Sequence, residues 1–258
     1  MTTVLITGAS TGIGYEFGKL FAADDYHVVI TATNENRLNE NAKELKDTFT
    51  VDVDVIVCDL SRSDGPAQLV SELKKRSIAV DVLVNNAGIG AYGDFSQTEL
   101  TEELALLQIN VVALTQLTKL LLPSMLERRQ GRILNVGSTA GFVPGPGMAV
   151  YYASKAYVLS FSEALACELE GTGVTVTLLC PGPTKTEFQK RAGMETNRLF
   201  SAVKPMTALR AAKKGYLGMQ RGQTIVIPGI FNKTMAASSR LFPREVIPSM
   251  VRKFNEPS

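Results

Sequence analysis

The chain alternates between short apolar runs and longer stretches in which apolar residues return every three or four positions. Runs rich in Val, Ile and Leu cover residues 4–7, 28–31, 51–57, 82–84, 133–136, 174–179 and 224–227. Most are continuous, the pattern of strands covered on both faces; the run 51–57 instead alternates with Asp52 and Asp54. Between them, residues 37–46, 68–76, 104–128 and 151–170 have helical spacing and length. This repeated alternation predicts an α/β fold, a parallel sheet of about seven strands with helices on both faces. With no linker-like stretch and no fixed-period repeat, the chain reads as one domain over residues 1–258, with a C-terminal extension from about residue 229.

Composition narrows the function. At 45% hydrophobic and 20% charged, the chain can bury a large core and is not a disordered tail. Its 27 basic against 25 acidic residues leave a net charge of +2, which argues against nucleic acid as a partner. The single His27 and the scattered Cys58, Cys167 and Cys180 offer no metal-ligand spacing, and the cysteines are expected to be reduced and buried. Met1 leads almost at once into Val4, Leu5 and Ile6 with no secretory pattern, and no uninterrupted apolar run reaches the ~18 residues of a membrane span. The expected location is cytoplasmic.

After the first apolar run stand Gly8, Ala9, Ser10, Thr11, Gly12, Ile13 and Gly14, followed by helical spacing at Phe17, Leu20 and Phe21. Glycines in a strand-to-helix turn let backbone approach a pyrophosphate, and the helix start supplies a positive field. The reading is a dinucleotide site, although the spacing is GxxxGxG and no acidic residue clearly follows the second strand.

Thr7 to Gly14, then Asn85-Asn86-Ala87-Gly88, Ser138, Tyr151-x-x-x-Lys155 and Pro181-Gly182, stand in the order and at roughly the intervals of the short-chain dehydrogenase/reductase family, which the chain resembles over roughly residues 3–230. The resemblance implies a Rossmann-type doubly wound sheet of the compact, single-domain branch. It also implies NAD(P)-dependent hydride transfer at a carbonyl or alcohol. By the same resemblance Asn86, Ala87 and Gly88 border the adenosine side and brace the sheet, Asp59 and Leu60 contact adenine, and the loop of Pro181, Gly182, Thr184 and Thr186 covers the nicotinamide.

Tyr151 and Lys155 are one helical turn apart and share a face. A free phenol, with a pKa near 10, suits proton transfer at neutral pH only if shifted down, and an ammonium one turn away favours the phenolate. Tyr151 is the expected general acid/base; Tyr152 has Ala156 at the corresponding position and points elsewhere. Ser138, at the carboxyl edge of a strand, is expected to polarise the substrate oxygen, with Thr139 as a competing hydroxyl. A serine nucleophile would need a base, and His27 lies far along the fold. Asn110, mid-helix in apolar company, either satisfies a buried hydrogen bond or, as the resemblance implies, holds a relay water for Lys155.

The cofactor expectation is NADP over NAD. Neither the acid nor the base that usually decides is present at Ala32, Thr33 or Thr11, but Thr33, Asn34 and Arg37 could hold a 2′-phosphate, with Glu35 as the one opposing charge. Residues 141–148 should border the substrate and 187–206 form a variable lid. The tail mixes apolar Phe231, Met235, Leu241, Phe242, Val246, Ile247, Met250, Val251 and Phe254 with Lys233, Arg240, Arg244, Arg252 and Lys253. It fits packing onto the body or a partner, coverage of a lipophilic substrate, or contact with a membrane surface, the first being expected. On the helix of Tyr151, Ala153, Ala156, Ser160, Ala164 and Cys167 face away from Val158, Leu165 and Leu169, predicting a homodimer or homotetramer through this helix and that of residues 104–122. A carbonyl reductase or alcohol dehydrogenase acting on a small-molecule carbonyl or alcohol, lipophilic or acyl, is the leading reading. A catalytically silent NADP(H)-binding regulator or scaffold is the alternative.

Overall fold

The structure, a computed structural model, describes residues 1–193, 205–238 and 243–255. Each apolar run becomes a strand: β1 (Thr3–Thr7), β2 (His27–Ala32), β3 (Val53–Val57), β4 (Val82–Asn85), β5 (Gly131–Val136) and β6 (Val174–Leu179). After them come the two-residue strands β7 (Thr184–Lys185), β8 (Met206–Thr207) and β9 (Ile225–Val226). Seven strands form one parallel sheet in the order β3-β2-β1-β4-β5-β6-β9, and β7 pairs with β8 separately. The alternating run is explained by its place: β3 is an edge strand, with Val53 and Ile56 buried and Val57 open to solvent. Its Asp54 binds His27 Nε2 at 2.8 Å, while Nδ1 of that ring lies 3.3 Å from Thr3 Oγ1. The lone histidine is thus used at the amino end of β2.

Helices cover both faces. On one side α1 (Gly12–Ala23), α2 (Glu35–Phe49) and α8 (Ala208–Gln220) bury Phe17, Phe21, Leu38, Leu45 and Met219 against the sheet. On the other, α3 (Gly65–Lys75), α5 (Leu114–Glu127) and α6 (Ala149–Glu168) bury Leu69, Leu73, Leu117, Met125 and Leu165. Burial of each such side chain contributes roughly 1.5–3 kcal/mol.

The expected helix over 104–128 is a 28-residue helical run, Leu100–Glu127, made of α4 (Leu100–Leu107), a π-helical turn (Gln108–Ala113) and α5. By length and composition alone this run could cross a membrane; here Leu106, Leu117 and Met125 are packed into the core. Beneath it the sheet holds polar groups within apolar surroundings. Asn85 Nδ2 donates to Thr118 Oγ1 at 3.1 Å and to Asn135 Oδ1 at 2.9 Å, and Asn135 Nδ2 donates to Ser162 Oγ at 2.9 Å. These buried bonds tie α5, β4, β5 and α6 into one unit.

On α6 the division of faces follows the periodicity: Val158, Leu165 and Leu169 are buried and Ala153, Ala156, Ser160, Ala164 and Cys167 are exposed. Cys167 therefore corrects the expectation of three buried thiols, because it sits on the outer face; Cys58 and Cys180 are buried. The tail forms α9 (Ile230–Ser238) and α10 (Ile247–Asn255). Asn255 is buried, accepting from Tyr152 Oη at 3.1 Å and donating to the Pro146 carbonyl at 2.9 Å, so this end of the tail packs onto the body. Arg240, Leu241 and Phe242, and residues 194–204 of the expected lid, lie outside the described residues.

Candidate active site

The carboxyl ends of the strands open into a cavity of about 320 Å³. Its floor begins at the turn from β1 to α1, where Gly8 and Gly12 adopt φ of +65° and +60°. A Cβ on Gly8 would sit 2.8 Å from Ala87 Cα, so only glycine lets this turn lie against the one after β4. Asn86 joins the two turns: Nδ2 donates to the carbonyls of Thr7 at 2.8 Å and Gly8 at 3.1 Å, while Thr7 Oγ1 accepts from the Asn86 and Ala87 amides at 3.0 Å each. Asn41 supports the loop from α2 by donating to the Ala9 and Ser10 carbonyls, both at 3.1 Å. Sequence reasoning missed it, although it is a polar position beside the buried Leu38, Ala42 and Leu45 of an otherwise exposed helix.

Gly8, Ser10, Thr11, Gly12 and Ile13 line the cavity, as does Thr33 beyond β2. Asp59 and Leu60 wall it beyond β3, and Asn86, Ala87 and Gly88 beyond β4. Three expected contact residues are not in its wall. Gly14 lies behind the loop, where a Cβ would fall 2.4 Å from Asn86 Nδ2 and 2.5 Å from the Gly8 carbonyl, so it serves close packing. Asn34 caps α2, its Oδ1 accepting from the Arg37 amide at 3.0 Å. Arg37 turns its guanidinium to Glu187, Nη1 donating to both carboxylate oxygens at 2.8 Å.

At the other end of the cavity Ser138, Tyr151 and Lys155 converge. Ser138 begins the 3₁₀ turn Thr139–Phe142, its Oγ accepting from the Ala140 amide at 3.1 Å. Thr139 is buried beside it, its amide donating to the Pro181 carbonyl at 3.0 Å. Lys155 is 6% exposed, donates from Nζ to the Val136 carbonyl at 3.0 Å, and lies 5.8 Å from the centre of the Tyr151 ring. Burial lowers its pKa to about 8, with the neighbouring Cys180 pulling the other way. Burial pushes Tyr151 up to about 12, offset in part by a hydrogen bond from Ser138. The expected downward shift of the phenol is therefore reversed in the protein alone: burial disfavours the charged form of both groups, and for Tyr151 it outweighs the hydrogen bond from Ser138.

Asn110 is fully engaged behind the cavity. Its Oδ1 accepts from the Ile89 amide at 3.0 Å; its Nδ2 donates to the Ile89 carbonyl at 3.0 Å and to Ser154 Oγ at 3.1 Å. It sits in the π-helical turn, not in regular α-helix, and π turns recur at functional sites. Oδ1 and Lys155 Nζ flank one point, 3.3 and 3.5 Å from where a Cβ of Gly88 would be. Asn110 thus positions other groups and does not itself reach the cavity. Ser154, overlooked in the sequence, was signalled by a small polar residue between Tyr151 and Lys155 on the inner face.

Pro181, Gly182, Thr184 and Thr186 form the far wall. Thr184 Oγ1 donates to the Gly182 carbonyl at 2.9 Å, and the Thr186 methyl lies 3.2 Å from where a Gly12 Cβ would be. Next come Glu187 and the short α7 (Phe188–Arg191), whose Phe188 ring centre is 5.4 Å from that of Tyr151. Met148, Tyr152 and Ala140 complete an apolar wall here, with Val251 of α10 packed against that cluster.

The short chain dehydrogenase family model matches residues 2–197. The chain belongs to the short-chain dehydrogenase/reductase family. A sulfoacetaldehyde reductase of Chromohalobacter salexigens is 38% identical over 187 residues, 72% of this chain and 73% of that protein. A very-long-chain 3-oxoacyl-CoA reductase of Anas platyrhynchos is 30% identical over 257 residues, 98% of this chain and 79% of its own. Among solved structures, a short-chain dehydrogenase from Sphingobium yanoikuyae in complex with NADPH superimposes with a TM-score of 0.83 at 32% identity, covering 93% of this chain and 95% of that one. This short-chain dehydrogenase/reductase is an NAD(P)-dependent oxidoreductase acting on alcohol or carbonyl groups. Its residues fit a dinucleotide: positive-φ glycines leave no side chain between backbone and cavity, and the cavity runs from the ends of β2 and β3 to Tyr151.

Proposed function

We propose that the protein reduces a lipophilic carbonyl compound, or oxidises the matching alcohol, with NADP(H). The observation that carries this reading is the convergence of Ser138, Tyr151 and Lys155 on one cavity whose neighbouring wall is apolar and aromatic. A bound nicotinamide dinucleotide supplies or accepts the hydride. Tyr151 exchanges the proton with the substrate oxygen, and Ser138 donates a hydrogen bond to that oxygen as charge develops on it. Lys155, with Nζ hydrogens left over from Val136, would hold the ribose beside the nicotinamide. Asn110 fixes the Ile89 backbone and Ser154 so that α6 presents Tyr151 and Lys155 together, and a relay water beside Gly88 completes proton exchange with solvent.

NADP is favoured because no acid stands at the end of β2 and the related structure holds NADPH. A silent cofactor-binding role would be supported by a degraded constellation, and all four positions are filled. The chain reads as one domain with a C-terminal extension, acting in the cytoplasm. The exposed outer faces of α6 and α4–α5, with Leu104, Leu120 and Tyr157 open, support a homodimer or homotetramer. The test is a screen of aldehydes, ketones and acyl thioesters at 340 nm with NADPH and NADH. With a substrate in hand, Tyr151→Phe should lose about a thousandfold in kcat. Near wild-type turnover in that variant would overturn the mechanism.

A further inference from the structure

The segment after β6 crosses the cleft and meets the opposite wall twice. Thr186 rests on the glycine loop, its methyl 3.2 Å from the Cβ position of Gly12. One residue on, Glu187 reaches the first turn of α2, where Arg37 Nη1 donates to both its oxygens at 2.8 Å. Both ends of this contact are held. Asn34 Oδ1 fixes the Arg37 amide at 3.0 Å; around Glu187, Thr186 Oγ1 accepts from the Phe188 amide and Gln189 Oε1 from the Thr186 amide, both at 3.2 Å. Glu187 itself lines the cavity, as does Thr33.

This is the rim where a 2′-phosphate would arrive on the reading proposed above. β2 ends at Ala32, and Arg37 is the one cation between that strand and residue 42. In the protein alone its Nη1 is already taken by a carboxylate, which accepts through both oxygens where a phosphate would also accept. A dinucleotide without the 2′-phosphate has no use for Arg37 and meets no penalty from Glu187. One that carries it must displace the carboxylate and then hold two negative groups apart.

We propose that Glu187 is a cofactor-discriminating residue that competes with the 2′-phosphate for Arg37 and so moderates NADP preference. The pair is about two-fifths exposed on each side, which sets the scale: the competition is moderate and weakens with salt. The inference rests on the dinucleotide reading of the cleft, and the two fail differently.

Isothermal titration with NADP⁺ and NAD⁺ separates them, using wild type, Glu187→Gln, Arg37→Met and the double variant. Glu187→Gln should tighten NADP⁺ by about three- to tenfold and leave NAD⁺ within about twofold. In the Arg37→Met background the same change should alter NADP⁺ affinity by less than about twofold, since the contested group is gone. If both dinucleotides bind but Glu187→Gln leaves their affinity ratio unchanged, or weakens NADP⁺, the role of Glu187 is overturned while the cleft stands. If neither binds any of the four proteins at millimolar concentration, the dinucleotide reading falls and takes this inference with it.

Discussion

Lys155 and Arg37 are both cations at one cleft, yet they are held in opposite ways. Lys155 is 6% exposed, bonded to a strand carbonyl, and carried on a helix fastened to the sheet through Ser162 and Asn135. Arg37 has a side chain 42% exposed, on a helix of low apolar content, and its partner is another side chain 150 residues away. The catalytic end is positioned by buried, obligatory bonds, whose loss leaves a polar group without a partner. The adenosine end relies on an exposed ion pair that solvent or a ligand can replace. Reaction chemistry tolerates little displacement, and the discriminating contact must be exchangeable.

The contrast can be broken most forcefully at Lys155. Lys155→Met should lower kcat by about a hundredfold or more with little loss of folded protein, measured by steady-state kinetics beside circular dichroism. Its pH signature is distinctive. The folded pKa of about 8 lies below the 10.5 of a free lysine, so between those values the unfolded chain binds the proton that the folded one has released. Stability from this group therefore rises with pH across about 8 to 10.5, and the melting temperature of wild type should gain on that of the variant over the window. No relative gain would mean that Lys155 is not desolvated as described. Above pH 10 the raised pKa of Tyr151 works in reverse, the folded state keeping a proton that the unfolded one gives up.

A smaller effect sharpens the structural half of the comparison. Asn135→Leu removes the bond that joins β5 to α6 and one partner of Asn85, at a cost of about 1–3 kcal/mol. The melting temperature should fall by roughly 2–10 °C, and kcat should fall with it because the carrier of Tyr151 loses an anchor. Arg37→Met should be the mildest, below about 1 kcal/mol by urea denaturation. A loss as large as that at Asn135 would erase the distinction between the two ends.

The strands were legible because parallel strands covered on both faces must be nearly continuous in Val, Ile and Leu, and the one run that alternated is the edge strand β3. The pairing of Tyr151 with Lys155 was legible from helix geometry, and the joining of Ser138 to them from its strand end together with the family resemblance. What was not legible depends on contacts that spacing does not encode. The pairing of Arg37 with Glu187 is set by how the chain returns after β6. The direction of the Tyr151 shift depends on burial by chain segments that meet only in the fold, Phe188 among them. Asn135 could have been noticed as an amide inside a strand buried on both sides, a position that demands a partner.

The π-helical turn at Gln108–Ala113 also bears on how this stretch of chain tolerates insertion and deletion. A π turn accommodates about one residue more than an α turn, so removing one residue there would restore regular winding and leave α5 facing the sheet much as before. Asn110, inside the turn, would lose either Ile89 or Ser154, while Thr118, beyond it, would keep Asn85. The extra residue is thus absorbed locally, and a deletion there would be felt at Asn110 and, through Ser154, on the helix of Tyr151, while the packing of α5 against the sheet would stand.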